Sequence, residues 1–407
     1  MSDEDCIPAA AYSCTHRPCT LLLTTALSTH RWEYTHDAEF AKRATLPLLD
    51  GVNAWSHCYL QQDGSTGMLE DWNENVPDQV FENRPAKNPS VGLALMMRAA
   101  TAQRTIATAV GASYPKYIDD IIAKLAPLPT TPGPAGGDAR VWAASDGRGW
   151  DNSSIFTFGF SSVLYPIYPA ETVDFSSPDA SVARASAMLY ANLTCSPGYP
   201  AKPYATCVKE GFGGLTVFSA LARTLPRVLD SVPSSGARGG DGGETVTVTA
   251  AGLADAFETY IVAYGANSTN FLAYAPGGGV ENVGLSQTVN DMLLQSSNGT
   301  LRLFPAWPLA EPATFKTLRA KGAFLVSASW DHVHGTATGV SITATVASPR
   351  VSLTSPFPEA VKAVELRCSA EPNERKLAVG ARGLLEWSMA AGETCGLAPG
   401  VKQVGRS

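Results

Sequence analysis

Residues 277–296 read GGGVENVGLSQTVNDMLLQS. A glycine run gives way to a segment in which Leu285, Val289, Met292 and Leu293 recur at i, i+4, i+7 and i+8, the spacing of one helix face. Ser286, Gln287, Asn290 and Asp291 fall on the other side, facing away from that stripe. After Thr300 the pattern changes. AFLVSASW (323–330), TATGVSITATV (336–346), RVSLTS (350–355), AVKAVELRCS (360–369) and GLLEWSM (383–389) are short, β-branched and alternating, with turn residues between them. Such segments predict antiparallel strands.

Upstream, the periodicity is helical. DAEFAKRATLPLLDGVNAWSHCYL (37–60) spaces Phe40, Leu48, Val52, Trp55 and Leu60 along one face, with Asp37 as the cap. NPSVGLALMMRAATAQRTIATAVG (88–111) predicts a long buried helix, capped by Asn88 and closed by Gly111. PKYIDDIIAKLAPL starts on Pro115 and stops before Pro129. SPDASVARASAMLYANL has Ser177 or Asp179 near its cap and Val182, Ala185 and Leu189 on one face. Helices first and strands afterwards give a mainly α chain with a C-terminal β-domain, divided at 1–300 and 301–407.

The balance of 30 Lys and Arg against 37 Asp and Glu, with no basic run, argues against a nucleic-acid partner. The apolar segment CTLLLTTALS (19–28) falls short of the ~18 residues of a membrane span. Eight cysteines include no CxxC pair, so no zinc ribbon is expected. Cys195 and Cys207 bracket a Pro- and Gly-containing loop and are either a disulfide or two buried thiols. Sequons at Asn152, Asn192, Asn267 and Asn298 lean toward the secretory pathway. His332 and His334 in WDHVHG stand two apart, a metal pair on a strand or, as favoured here, part of a hairpin turn. No metal and no cofactor is assigned.

The run ENVGLSQTVNDMLLQSSNGTLRLFPAWP (281–308), followed by LRAKGAFLVSASW (318–330), resembles the end of the catalytic domain of glycoside hydrolase family 95, the α-L-fucosidases and their relatives. MLLQS, FPAWP and LRAKGAF carry the match. A second patch, SSVLYPIYPAETVDFSSPDASVARA (161–185), and a looser third, beginning ENVPDQVFENRPAKNPSVG (74–92), agree with it. The resemblance implies a six-hairpin, (α/α)-toroid glycosidase, here partial, followed by an antiparallel β-sandwich. It also implies a glycan substrate, and a family member carries N-terminal elements for which this chain is too short.

Inverting cleavage of a glycosidic bond needs an acid to protonate the leaving oxygen. It also needs a base to activate water, with the two carboxyls ~6.5–9.5 Å apart. The resemblance puts Glu74, followed by Asn75, at the acid position, with Glu82 as the alternative. It puts Val280 where the family carries its base Asp, so Glu281 is either a substitute base or a first-turn carboxylate complementing the helix dipole. Asn282 matches a pocket position. The family's histidine cluster is replaced by Phe158, Phe160 and Val163; aromatic rings there, and Trp72 near Glu74, would stack on a sugar face. These departures leave the sugar open, and keep alive a second reading as a catalytically silent carbohydrate-binding or scaffold relative.

Overall fold

The computed structural model describes residues 18–72, 86–133, 140–147, 162–174, 176–193, 223–229, 249–260, 284–371 and 373–400. Helices dominate the described chain up to Leu293. They are α1 (Pro18–Thr35), α2 (Ala38–Phe40), a π-helical turn (Ala41–Thr45), α3 (Leu46–Tyr59), α4 (Ser90–Val110), α5 (Tyr117–Lys124), α6 (Ala180–Leu193), α7 (Ala250–Tyr260) and α8 (Gly284–Leu293). Residues 223–228 are also helical. Two short ribbons sit among them: β1 (Gln61–Gln62) with β2 (Leu69–Glu70), and β3 (Thr130–Pro132) with β4 (Arg140–Trp142). No helix among the described residues is long and apolar enough to cross a membrane.

Local signals set several helix ends as expected. The Asp37 carboxylate accepts a bond of 3.0 Å from the Phe40 amide, satisfying a donor that the first turn leaves unpaired. Gly111 closes α4 at φ 67°, a left-handed turn that favours glycine. Asn88 is not the cap of α4. Pro89 holds that position, and Asn88, itself at φ 49°, faces back toward Asp71 and Asp146.

The buried faces depart from the expected stripes. In α3 the buried residues are Leu46, Leu49, Val52, Asn53 and Ser56, while Leu48 and Trp55 only flank the core. The π-helical turn before Leu46 explains the offset, because each i→i+5 bond admits an extra residue and rotates the helical turns beyond it. Asn53 is buried because Gln103 of α4 accepts from its amide at 2.7 Å. A hydropathy pattern cannot register that pairing. Among the described side chains of α6 the buried positions are Ala183, Ser186 and Ala187, one residue off the expected face; Ser186 accepts the Trp142 amide of β4 at 2.9 Å.

From Leu294 onward the chain is strands. β5 (Leu294–Ser297), β6 (Thr300–Leu303), β10 (Ser348–Thr354) and β13 (Leu384–Met389) form one sheet in the order β13-β10-β6-β5. β7 (Ala313–Ala320), β8 (Phe324–Asp331), β9 (Thr336–Ala344), β11 (Ala363–Cys368), β12 (Arg375–Ala378) and β14 (Thr394–Pro399) form the other, in the order β12-β11-β14-β9-β8-β7. Alternation supplies the shared core: Val326, Ile342 and Leu366 from the larger sheet meet Val351, Leu353 and Leu385 from the smaller. The C-terminal sheets are antiparallel as expected, with one correction. β10 runs parallel to β6, pairing Leu353 with Leu301, because the long excursion through β7–β9 returns the chain in the same direction. Asn298 (φ 47°) and Gly299 (φ 72°) make the two-residue turn between β5 and β6, the asparagine–glycine pair that such hairpins select. WDHVHG is the β8–β9 turn, in which Asp331 accepts the Val333 and His334 amides at 3.0 and 3.2 Å.

Cys368 and Cys395 face each other across β11 and β14 and are joined as a disulfide spanning 27 residues. Cys58 is also disulfide-bonded. Cys195 and Cys207 lie outside the described residues. By loop-closure entropy, a crosslink of that span stabilises by about 3.5 kcal/mol. Replacing both Cys368 and Cys395 with alanine should lower stability by about 3 kcal/mol in urea denaturation. An unchanged midpoint would show that the crosslink does not restrict the unfolded chain.

Candidate functional site

Of the residues that the sequence singles out for chemistry, the structure describes Trp72. Glu74, Asn75 and Glu82 lie outside the described residues, as do Phe158, Phe160, Glu281 and Asn282. What the structure defines, among the described residues, is a frame in two parts.

The first part of that frame is the corner at Trp72. The indole, 38% exposed, donates from Nε1 to Glu70 at 3.0 Å, and Lys87 Nζ lies 4.5 Å above its ring centre. The same ammonium pairs with Glu70 at 2.8 Å, so one face of the ring is covered by a neutralised cation. The Tyr59 hydroxyl donates to the Trp72 carbonyl at 2.6 Å. Next to Trp72 in the chain, Asp71 is clasped to Asn88: the Asn88 amide donates to the Asp71 carbonyl at 2.7 Å, and the Asp71 amide to the Asn88 side chain at 2.9 Å. Asn88 then donates to Asp146 at 2.7 Å. The chain that carries Glu74, Asn75 and Glu82 thus leaves and rejoins a fixed point. Glu70 and Asp71, both buried, are carboxylates that sequence reasoning passed over.

The second part is a buried set of charges where the helices meet the sheets. Glu33 of α1 pairs with Arg98 of α4 and with Lys321 between β7 and β8; the Lys321 contact is 2.8 Å. Glu171 pairs with the same Lys321 and, at 3.2 Å, with Arg227. Arg227 is 3.9 Å from Asp291 of α8, which is also 3.3 Å from Arg223. The motif LRAKGAF explains how Lys321 gets there. Gly322 takes φ 86°, a Cβ on it would come 2.5 Å from Phe324, and its amide donates to the Glu33 carbonyl at 2.8 Å. Asp291 is therefore buried, although it stands opposite the apolar stripe of α8.

Opposite charges set the ionisation here. Burial works to raise Glu171, but Lys321 and Arg227 outweigh it and hold the carboxyl well below its ordinary range. Glu33 is likewise lowered, with burial opposed by Lys321 and Arg98. Asp291 goes the other way, burial raising it against the pull of Arg227 and Arg223. His30, Glu33 and Glu171 offer three ligand atoms within 4.8 Å of one another, but the Lys321 ammonium takes the place between the two carboxylates that a cation would occupy. The set Cys368, Glu393 and Cys395 has its sulfurs tied up in the disulfide. Sequence reading missed these charges because each stands in a different segment. The available signals were Lys321, Glu171 and Asp291, each inside a stretch that resembles the family.

His30 gives this cluster a pH dependence. Burial, then the Lys321 charge, lower its pKa from 6.5 to about 4; Glu171 and Glu33 oppose the shift and Arg98 adds to it. The Tyr34 ring packs edge-on against it. Between those two values the unfolded chain takes up a proton that the folded chain refuses. Stability is therefore full above pH 6.5 and falls as pH drops toward 4, by on the order of 2–3 kcal/mol. The lowered Glu33 and Glu171 add their own loss only at more acid pH. In urea titrations at pH 7 and 4.5, His30→Gln should show a flatter dependence than the parent. Equal slopes would remove His30 from the account.

A helical part is followed by two mostly antiparallel sheets, and in sequence the chain is similar to a glycoside hydrolase. The particular relative is "Alpha-L-fucosidase 2" of Arabidopsis thaliana, 26% identical over 316 residues, which bears out the resemblance read from the motifs. The match covers 75% of this chain, and the chain spans 34% of that relative's length. No family model matches. Among solved structures, "Putative kojibiose phosphorylase from human microbiome" aligns over 91% of this chain and 46% of its own, at 12% identity and a TM-score of 0.39.

Proposed function

We propose that this chain is part of a glycoside hydrolase that cleaves a terminal, fucose-like sugar from a glycan with inversion, within a toroid of paired helices. The observation that carries this reading is the 316-residue similarity to an α-L-fucosidase. In the mechanism, Glu74 protonates the leaving oxygen while Glu281, in place of the family's Asp, draws a proton from the attacking water. Asn75 and Asn282 position substrate and water, with Glu82 beside them. Trp72, partly exposed, and the rings of Phe158 and Phe160 pack against the C–H face of the sugar. The disulfides favour an oxidising compartment, in keeping with the sequons.

Hydrolysis of a panel of nitrophenyl glycosides tests the reading, with the anomeric configuration of the first product followed by proton NMR. Release of the opposite anomer is expected. Retention would overturn the inverting mechanism, and no turnover on any member together with tight glycan binding would favour the second reading, a silent carbohydrate-binding relative. Val280 at the base position and the loss of the histidine cluster are what speak for it.

A further inference from the structure

We propose that Asn298 is a modification site that carries an N-linked glycan, where the sheets meet the segment leading into α6. Asn298 is the sequon whose acceptor side chain the structure describes. Asn152 and Asn267 lie outside the described residues, as does the side chain of Asn192 in α6. The proposal does not require that the chain hydrolyse anything.

The local structure suits an acceptor. Asn298 and Gly299 form the tip of the β5–β6 hairpin, and both are exposed. An N-linked oligosaccharide is bulky and needs a surface position, and a two-residue turn at the end of a hairpin receives it without disturbing the core. The Asn298 side chain donates from Nδ2 to Ser176 Oγ at 2.8 Å, and Ser176 is itself exposed. An amide nitrogen carries two hydrogens, so glycosylation consumes one and leaves the other for Ser176.

The turn explains Asn298 and Gly299, which stand at φ 47° and 72°, but it does not explain Thr300. Thr300 is buried at the start of β6, and among the described residues nothing bonds to its hydroxyl, so packing in the strand would accept valine there. A hydroxyl two residues after the acceptor is what the sequon requires. Because the folded hairpin buries Thr300, transfer takes place on the chain before β5 and β6 pair. The disulfides of Cys58 and of Cys368 with Cys395 point independently to an oxidising compartment, the kind of setting in which such glycans are added. The step is a substitution with no redox change. Asn298 Nδ2 bonds to the anomeric carbon of an oligosaccharide held on a lipid pyrophosphate. The bond from that carbon to the phosphate oxygen breaks, the lipid pyrophosphate leaves, and Nδ2 gives up one proton.

Mass spectrometry of intact glycopeptides, on protein from its native source, tests the site. The peptide that contains Asn298 should carry an oligosaccharide on most copies. Spontaneous deamidation of an asparagine–glycine pair changes the mass far less than an oligosaccharide does, so the two are told apart. In eukaryotic cells that secrete the chain, Thr300→Ser should keep the glycan. Thr300→Val keeps Asn298 and the size of the strand residue, and should lose the glycan entirely. Asn298→Gln should lose it as well, and serves if the Thr300→Val protein fails to fold. An unmodified Asn298 peptide from the native protein would overturn the proposal, whatever the other three sequons carry. So would an oligosaccharide that persists on Asn298 in Thr300→Val.

Discussion

Glu171→Gln is expected to cost about 3 kcal/mol of folding stability, measured as the shift in urea unfolding free energy at pH 7. The carboxylate is buried and serves two cations at once, Arg227 at 3.2 Å and Lys321. Neutralising it leaves both cations in a low-dielectric seam with fewer counter-charges. Glu33 still pairs with Lys321 and Asp291 still stands near Arg227, which keeps the loss toward the low end of the ~3–5 kcal/mol expected for a broken buried pair. A second substitution tells charge from packing. Lys321→Met in the Glu171→Gln background removes one of the stranded cations while keeping a long side chain, and should return a substantial part of the loss. A double variant as unstable as the sum of two independent losses would show that the groups do not act as one network.

Glu74→Gln and Glu281→Gln should each lower kcat/KM by about 10²–10⁴-fold, the usual contribution of a positioned acid or base. Their signatures differ. A nitrophenolate leaves without much protonation, so loss of the acid should weigh less on nitrophenyl glycosides than on a natural glycan. Loss of the base should weigh equally on both. Val280→Asp supplies the contrast. If Glu281 has taken over as base, a second carboxylate beside it gains nothing. If Glu281 only complements the helix dipole, Glu281→Gln leaves any residual rate unchanged, and Val280→Asp is the variant that gains activity. That second outcome would end the substitute-base mechanism while leaving the glycosidase relationship intact.

What could be read from the sequence was what neighbouring residues decide among themselves. Asp37 caps its helix and Gly111 closes its own because both interactions lie within a few residues. The Asn298–Gly299 turn and the alternation of Phe324, Val326 and Ala328 are equally local. The faces of α3 and α6 were harder. Hydropathy assigns an apolar stripe, but a π-helical turn displaced one, and buried hydrogen bonds of Asn53 and Ser186 placed polar residues on both.

The candidate site divides in the same way. The sequence by itself determined the order of helices and strands and the resemblance to α-L-fucosidases, from which Glu74 or Glu82 is proposed as acid and Glu281 as base. Only the tertiary structure brought Glu33, Arg98, Glu171, Arg227, Asp291 and Lys321 into one buried network, paired Cys368 with Cys395, and clasped Asp71 to Asn88. The reason is physical. Caps, turns and alternation follow from forces that act over one or two turns of chain. The worth of a charge depends on what excludes water from it and which counter-charge meets it, and here those partners come from up to 288 residues away, as between Glu33 and Lys321.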